Sequence, residues 1–541
     1  MVNSLADRLF KYLTETISET NGIALSDTLE LMESAQGLQK DPEALAAVQD
    51  FRTLLSRFRN NEIVIQPLLN HEFTKGLFQF FKNFPIKFRE QHIHLTGSMR
   101  AEFLFPRLQK LLAGPHRELY LKKIAEVYGP AAKVESVAEV DRLIRLTEGE
   151  GFSRYLKILY LPKLILISRE AHEEAAYDLA SELYHQYNTG FLRLKFSLSR
   201  STSSSDEQVP GSDDVASDDV ILGLYDGFKA FQKENSDFSF ILSPVFRKEE
   251  NFFDSSRFKN RQAHFMEQIN SLIRLLDKYP YLQDALCEAD TVGDERELYR
   301  KEHFYELQKG FRKLQYRGFK LRSHHGETWH TLNKGIQAVD NAMNIWHINT
   351  LEHGISLGIN PNFYFHLLYQ KVLESNLATK AITAGHFAYR ELMELDWGNH
   401  EKVLPKLLQG QPLSAQEQTW FVKAKFHTAR EVESYQHDVL NRLLQKEVNL
   451  VSLPSSNNKL TGQFQDYKDH PFSWWEKKGV SLGVGTDNHI TLNTNLIQEM
   501  MILLFTDIDD LKITKLLMVA TGETRRPYLS HLLWKMRKMV S

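Results

Sequence analysis

Two histidines that stand two residues apart, His92 and His94, are the first candidates for chemistry in this sequence. They lie in the stretch Q-H-I-H-L-T-G-S-M-R at Gln91–Arg100. Residues i and i+2 of a β-strand point to the same face, so both imidazoles would reach one ion just past the strand's end. Neutral imidazole is the commonest protein metal ligand and suits zinc. Because the chain has 21 histidines, such a pair arises easily by chance, and the prediction depends on other parts of the chain.

Three further stretches place a histidine or an acid just past an apolar run. They read R-S-H-H-G-E-T at Arg322–Thr328, L-E-H-G-I-S-L at Leu351–Leu357 and L-G-V-G-T-D-N-H at Leu482–His489. Each also has a glycine, which lets the backbone come close to a neighbour. Taken singly, each is explained by a capping acid, a loop histidine or a turn. Their joint occurrence predicts one shared site.

The elements that would position these residues are eight short apolar or alternating runs, which are separated by long amphipathic stretches such as Arg169–Tyr184. The runs are Phe88–His94, Phe191–Leu198, Phe238–Ser243, Asp284–Asp290, Phe319–His324, Asn344–Ile348, Val448–Leu453 and Val480–Gly485. Such alternation indicates an α/β fold with parallel strands and crossover helices. Eight units fit a closed (β/α)8 TIM-type barrel, in which the carboxyl ends of the strands converge on one rim. An open doubly wound sheet is the main alternative.

Residues 1–82 are predicted to form an N-terminal helical segment ahead of the barrel at 83–541. Asp41-Pro42-Glu43 is typical of a helix start, with an N-cap acceptor, a proline at the first position and an acid at the positive end. Apolar residues follow it at helical spacing from Leu45 to Phe58. The segment is interpreted as a helical cap packed on the barrel, with a partner-binding or oligomerising module as the alternative.

Two connections differ from ordinary barrel loops. Residues 199–219 are serine-rich and acidic and have almost no apolar side chains, so a mobile loop is expected, with phosphorylation as a less favoured interpretation. The second connection, at about 360–435, is far longer than usual and has its own helical periodicity. It is predicted to be a helical insertion, which would act as a lid, a subunit contact or a passive addition.

The bulk composition narrows the function classes. The 541 residues include 66 Lys and Arg and 69 Asp and Glu, a formal net charge of −3. This balance provides no electrostatic case for nucleic acid or an anionic membrane. A single cysteine, Cys287, excludes an internal disulfide and suits a reducing compartment. Met1–Phe10 lacks a signal-peptide core, and the longest apolar runs are too short to cross a bilayer. A soluble, cytoplasmic protein is predicted.

With these stretches in place, the chain resembles the adenosine/AMP deaminase family of metal-dependent hydrolases. The resemblance runs in family order from about residue 86 to the C-terminal helices and leaves out the N-terminal segment and the insertion. Six family patterns are met in order along the chain. Residues 92–97 meet H-x-H-L-D-G, residues 289–295 meet D-L-A-G-D-E, and residues 324–327 meet H-A-G-E. Residues 352–354 meet G-H-G, residues 453–462 meet C-P-x-S-N-x-x-T-G, and residues 485–488 meet S/N-T-D-D.

The resemblance implies hydrolytic deamination of a purine by one zinc ion per chain. His92, His94, His324 and Asp487 would hold the ion and leave one position for water, whose pKa zinc lowers from about 15.7 to near 7. His353 would orient or deprotonate that water. Glu327 would protonate a ring nitrogen, so it should not itself be a ligand. The backbone N–H of Gly293 resembles the family's contact to the purine ring.

The sequence departs from the family pattern at three positions around this site. Thr96 replaces an acid that the family uses toward the ribose 5′-hydroxyl, which weakens a ribose contact. Asn488 replaces an aspartate that contacts purine N7, although an amide NH2 is also a good donor to that atom. His325 replaces a small residue and is expected to reshape the pocket. A modified nucleoside, a nucleotide and a free base all stay open as substrates.

Three function hypotheses follow. The leading one is a zinc-dependent hydrolase, acting on a C–N bond, that releases ammonia from a purine nucleoside, nucleotide or related 6-amino purine. The second is another hydrolysis at the same metal centre, such as cleavage of an amide or phosphoester. The third is a catalytically silent nucleotide-binding protein of the same fold. The presence of Glu327, His353 and Asp487 argues against the third, since a sensor does not need a proton shuttle.

Overall fold

Eight parallel strands form a barrel at the centre of the protein. The computed structural model describes residues 4–147, 149–198, 215–462, 466–507 and 511–540. The strands are β1 (Phe88–His94), β2 (Thr189–Ser197), β3 (Ser239–Arg247), β4 (Glu288–Val292), β5 (Lys320–His325), β6 (Thr350–His353), β7 (Asn449–Ser452) and β8 (Leu482–Val484). They are hydrogen-bonded in sequence order, each parallel to the next. The predicted (β/α)8 barrel is therefore confirmed.

The barrel closes between its first strand and the segment that follows its last. Ile93 and Asp487 form a parallel bridge. The N–H of His94 donates to the Asp487 carbonyl at 2.7 Å, and the N–H of Asp487 donates to the His92 carbonyl at 2.9 Å. These bonds leave the sheet without a free edge at the rim. The same bonds fix two of the candidate metal-binding histidines relative to Asp487.

The sixth strand does not lie where the apolar run predicted it. Residues Ala342–Trp346 form a single π-helical turn, and the strand begins later, at Thr350. The indole of Trp346 is buried, and its Nε1 donates to the carbonyl of Phe304 at 2.7 Å. A short buried apolar run has no periodicity that separates strand from helix, so the prediction of Asn344–Ile348 as a strand was wrong. The other seven predicted runs overlap the observed strands.

The helices between the strands cover the outside of the barrel. Between β1 and β2 lie α7 (Ala101–Leu112), α8 (Arg117–Tyr128), α9 (Val137–Ile144), α10 (Phe152–Ile158), α11 (Tyr160–Ile165) and α12 (Arg169–Tyr187). The next connections contain α13 (Ser217–Glu234), α14 (Arg261–Lys278), α15 (Lys301–Tyr316) and α16 (Leu332–Asn341). Residues 199–214 of the predicted mobile loop lie outside the described residues. Its last residues, Ser217–Asp219, instead form the first turn of α13, where acids favour the positive helix end.

The long connection after β6 is helical, as its periodicity indicated. It contains α17 (Pro361–Leu377), α18 (Phe387–Glu394), α19 (Val403–Leu408) and α20 (Ala415–Gln445). The 31-residue α20 begins with a capping box, in which the Ser414 hydroxyl accepts from the Glu417 N–H and the Glu417 carboxylate accepts from the Ser414 N–H. Beyond β7 follow α21 (Pro454–Thr461) and α22 (Phe472–Lys477).

The N-terminal helices share an apolar core with the C-terminal helices, separate from the main core around the barrel. The first group is α1 (Leu5–Thr20), α2 (Leu25–Ser34), α3 (Gln36–Gln39), α4 (Pro42–Arg59), α5 (Gln66–Leu69) and α6 (Glu72–Lys82), and the second is α23 (Leu496–Thr506), α24 (Ile513–Thr521) and α25 (Arg526–Val540). Phe51 packs on Phe73 and on Phe505, with ring centroids 4.5 and 5.5 Å apart. The two ends of the described chain are thus joined by burial of apolar side chains.

None of the helices in the described ranges combines the length and apolar character needed to cross a bilayer.

Candidate active site

Four of the predicted site residues converge at the carboxyl end of the barrel. The Nε2 atom of His94 lies 3.1 Å from that of His92 and 3.3 Å from that of His324. Asp487 Oδ1 lies 3.6 Å from His92 Nε2 and 3.4 Å from His94 Nε2. A tetrahedron with ligand distances of about 2.0–2.2 Å has edges of about 3.3–3.6 Å, so these spacings fit ligands around one zinc-sized ion.

The hydrogen bonds behind these histidines also fit a cation. His92 Nδ1 donates to Glu352 Oε2 at 2.8 Å, and His324 Nδ1 donates to Asp290 Oδ1 at 3.2 Å. A carboxylate can only accept, so in each neutral ring the Nε2 atom carries a lone pair that points into the site. Burial lowers the pKa of His94 to about 3 and that of His324 well below its usual value. At His94 and His324 burial thus favours the neutral imidazole, the form that binds metal.

A buried group of charges inside the barrel supports these two carboxylates. Glu352 Oε1 accepts from Lys195 Nζ at 2.8 Å and from Arg322 Nε at 2.5 Å, while Lys195 also bonds Asp290. Lys195, Glu352 and Asp290 are fully buried. Burial alone would raise the pKa of Glu352, but Arg322 and Lys195 hold it well below the usual range, so the carboxylate stays ionised. Buried charges of this kind persist only when each is paired.

Two site residues adopt left-handed backbone conformations that side chains rarely take. The φ angle is 63° at His353 and 62° at Asp487. For residues other than glycine this conformation is disfavoured, and it concentrates at functional sites where the surroundings hold it in place. At Asp487 the surroundings include the hydroxyl of Ser456, which donates to Oδ2 at 2.6 Å.

His353 and Glu327 face each other beside the candidate metal ligands. His353 Nε2 lies 3.7 Å from Glu327 Oε2, and His353 Nδ1 lies 2.8 Å from Asn457 Oδ1, which only accepts. Burial raises the pKa of Glu327. Burial would lower the pKa of His353, but the neighbouring carboxylates of Glu327 and Asp487 outweigh it and raise that pKa. The raised pKa of Glu327 moves this carboxyl toward the neutral range in which a general acid is effective.

His353 also lies close enough to be considered as a ligand. Its ring contributes to a cluster with His92 and His324 whose candidate ligand atoms lie within 4.8 Å of one another. His92, His94 and Asp487 form a second such cluster. The geometry thus allows two ligand sets that share His92, and the assignment of His353 as a base is a hypothesis that metal analysis of variants can test.

Backbone bonds from the loop after β5 fix the position of Glu327. The buried carboxylate of Glu295 accepts from the N–H groups of Gly326, Glu327 and Thr328 at 3.1, 2.8 and 2.9 Å. Burial raises the pKa of Glu295 to about 7. Three donors in one turn hold the loop so that the Glu327 side chain points into the cavity rather than to solvent.

A cavity of about 220 Å³ opens next to these residues. His94, Thr96, Gly293, His324, Glu327, His353, Asp487 and Asn488 are among its lining residues. The remaining wall is largely apolar, with Tyr155, Leu156 and Phe252, and it also has two cations, Lys163 and Arg247. A flat apolar space with a few polar groups is what an aromatic heterocycle requires.

Gly293 has a backbone conformation that supports its predicted role. Its φ angle is 106°, and a Cβ there would collide with the carboxylate of Glu249. Only glycine fits this position without strain. The residue lines the cavity, so its backbone is near the space that a substrate would occupy.

The structure differs from the sequence-based expectations at Asn488 and His325. Asn488 Nδ2 donates to Tyr155 Oη at 2.5 Å and to Asp487 Oδ1 at 2.6 Å, so both amide hydrogens are already engaged. A bond from this amide to a purine N7 would require release of Tyr155. His325 points away from the cavity, because alternate residues of a strand face opposite sides, and it packs on Phe304 and Trp346. The expectation that its bulk reshapes the pocket was wrong.

Several supporting residues were not singled out from the sequence. The clearest signal for such a residue was the lysine in the alternating strand F-L-R-L-K-F-S-L. Alternate residues of a strand share one face, so the polar side chains at every second position of this buried strand point into the barrel. Lys195 is that residue. Asp290, Glu352 and Asn457 stood within the quoted motifs, but the partners described above lie 30 to 260 residues away in sequence.

No protein-family model matches the chain, and no curated protein matches it. Among solved structures, it is similar to an adenine deaminase from Arthrobacter aurescens, with 12% identity over 84% of this chain and 99% of that chain and a TM-score of 0.48. It is also similar to the N6-methyl-AMP deaminase from Arabidopsis thaliana in its apo form, with 11% identity over 86% and 99% of the two chains and a TM-score of 0.46. An amidohydrolase with bound Zn from Burkhoderia ambifaria has 10% identity over 84% and 91% and a TM-score of 0.47. All three likenesses are distant.

Proposed function

We propose that the protein is a zinc-dependent aminohydrolase that removes the amino group of a 6-amino purine nucleoside or nucleotide and releases ammonia. The observation that carries the proposal is the convergence of four ligand-type side chains beside a cavity that Glu327 and His353 line. The four are His92, His94, His324 and Asp487. Neither a structural ion pair nor a plain binding pocket requires the Nε2 atoms of three histidines to converge on one point.

Each residue has a defined part in the proposed reaction. Zinc, when bound, lowers the pKa of water from about 15.7 toward 7, so that a nucleophile is available at neutral pH. His353, whose Nδ1 bonds Asn457, presents its Nε2 to accept a proton from the attacking water. Glu327, whose pKa is raised, keeps a proton that it can donate to a ring nitrogen, which makes the neighbouring carbon electrophilic.

The cations at the cavity favour a substrate with an anionic group. Lys163 and Arg247 both line the cavity, and Arg247 Nε donates to Glu249 Oε2 at 3.0 Å. The volume of the cavity, about 220 Å³, is smaller than the roughly 300–1,000 Å³ typical of ligand sites. A cavity of this size suits a purine inside it, with the rest of the substrate at its mouth. Thr96 adds no negative charge there. We therefore propose that a 6-amino purine nucleotide is a better substrate than adenosine.

The test is metal analysis combined with an ammonia-release screen. Purified protein would be assayed with adenine, adenosine, AMP, their N6-methyl derivatives and guanine counterparts. Zinc at about one ion per chain and ammonia from a 6-amino purine would support the proposal. Zinc with hydrolysis of an amide or phosphoester would replace it by the second hypothesis, and purine nucleotide binding without turnover would replace it by the third.

A further inference from the structure

A second cavity lies at the opposite end of the barrel from the candidate active site. Its volume is about 620 Å³, inside the roughly 300–1,000 Å³ range of ligand sites. It is lined by residues at the amino ends of the strands, such as Arg89, Lys320 and Thr350, and by Met518 and Gly522 at the end of α24. In barrels of this type, residues at the amino-terminal face normally contribute to stability, so a cavity at this face indicates a binding site.

We propose that this second cavity binds a small phosphate-bearing anion. Its wall has five cations and three carboxylates, which leaves an excess of positive charge. The cations are Arg89, Arg193, Lys320, Arg322 and Lys515, and the carboxylates are Glu288, Glu447 and Glu476. The field of such a wall attracts anions, and clefts concentrate that field.

Three of the cations are held by neighbouring carboxylates and form the fixed part of the wall. Arg193 Nε lies 2.6 Å from Glu288 Oε2, and Arg322 Nη1 lies 3.5 Å from the same oxygen. Lys515 Nζ lies 3.0 Å from Glu476 Oε1. These pairs orient the guanidinium groups without neutralising the cavity as a whole.

The other two cations have no ion pair among the described residues. The guanidinium of Arg89 lies 3.9 Å from the centroid of the Phe191 ring, which orients it without offering a hydrogen-bond acceptor. Burial lowers the pKa of Arg89, and the opposing effect of the Glu288 charge does not outweigh it. Lys320 is exposed at the start of β5. Donors that are left open in the lining of the cavity match the several acceptor oxygens of a phosphate.

The rest of the lining sets the chemical class of the ligand. None of the described lining residues is aromatic, so there is no ring on which a nucleobase would stack. The uncharged part of the wall consists of aliphatic side chains, such as Val451, Val480 and Met518, and of small polar groups, such as Asn449 and Ser481. A phosphorylated metabolite without an aromatic ring fits this wall better than a purine nucleotide does.

The experiment is calorimetric titration of inorganic phosphate into the full chain and three variants. Arg89→Gln with Lys320→Gln removes both open cations, and Lys320→Gln alone removes an exposed one and should not disturb folding. Lys110→Gln is the matched control, since it removes one exposed cation that lines neither cavity. Thermal melts confirm that each variant is folded.

We expect the wild type and Lys110→Gln to bind phosphate alike, Lys320→Gln to bind it more weakly, and the double variant to bind it about tenfold or more weakly. The proposal is overturned if millimolar phosphate does not bind, if Lys320→Gln and the double variant bind it as the wild type does, or if Lys110→Gln loses as much binding as the double variant. If the double variant does not fold, Lys320→Gln decides alone. None of these outcomes depends on deamination, so this site and the proposed function can fail separately.

Discussion

Replacing His94 and His353 one at a time would separate the two ligand sets that the geometry allows. In the proposed site His94 is a ligand and His353 is a base. Four-ligand zinc sites are worth about 10–16 kcal/mol, so one ligand is worth about 2.5–4 kcal/mol. We therefore expect His94→Ala to weaken zinc binding roughly 10²–10³-fold. His353→Ala should leave zinc affinity within about threefold and lower turnover by about 10²–10⁴-fold.

The assay is zinc content together with competition against a chelator of known affinity. His116→Ala, at an exposed histidine, is the control for loss of an imidazole elsewhere. The reasoning is refuted if His94→Ala keeps wild-type zinc affinity, or if His353→Ala loses zinc as strongly as His94→Ala does. If His94→Ala keeps zinc and His353→Ala loses it, the His92, His324 and His353 cluster is the metal site. If both variants lose zinc, both rings are ligands. In either case another group must accept the proton from water.

Three further predictions follow from individual side chains. Glu327→Gln should keep zinc and lose about 10²–10⁴-fold in kcat, measured as ammonia release; loss of zinc would mean that Glu327 is a ligand. Thr96→Asp should raise kcat/KM for adenosine relative to AMP by about 5–150-fold, as expected for a buried hydroxyl that gains a partner; an unchanged ratio would exclude a role for Thr96 in specificity. Burial raises the pKa of Glu391 to about 7, and its Oε1 accepts from Tyr364 Oη and the Leu332 N–H. The folded state then holds a proton that the unfolded state releases above its pKa of about 4.5, so stability falls as pH rises from about 4.5 to 7. Glu391→Gln keeps both hydrogen bonds but has no proton to lose. The free energy of unfolding of the variant relative to that of the wild type should therefore be about 2–3 kcal/mol higher at pH 8 than at pH 5. A difference that does not change with pH would contradict this.

The barrel could be predicted from the sequence because parallel strands buried on both faces leave strong local signals. The alternating run of β2 and the apolar run of β3 are marked by residue type alone. The sixth strand failed because its four residues include a glutamate and a histidine, whereas the apolar π-helical turn before it imitates a strand. Local hydrophobicity cannot identify a strand whose side chains belong to a polar site.

The candidate ligands could be found because histidines and acids at strand ends are conspicuous, and the rim of a barrel brings strand ends together. The environment of each residue could not be found in this way. The bond from Asn488 to Tyr155 joins residues that are 333 positions apart, and the bond from Lys195 to Glu352 spans 157. Such pairs depend on the three-dimensional register of the strands, which residue type alone does not specify.

The shared core of the N-terminal and C-terminal helices has a consequence for synthesis of the chain. The apolar faces of α1–α6 are completed by α23–α25, which are made about 400 residues later. At a synthesis rate of roughly 5–20 residues per second, α23–α25 leave the ribosome about 20–80 s after α1–α6. During that time Phe51 lacks the ring of Phe505 against which it packs. The apolar faces of the nascent N-terminal segment therefore stay incomplete, and its folding is tied to synthesis of α23–α25 rather than to its own emergence.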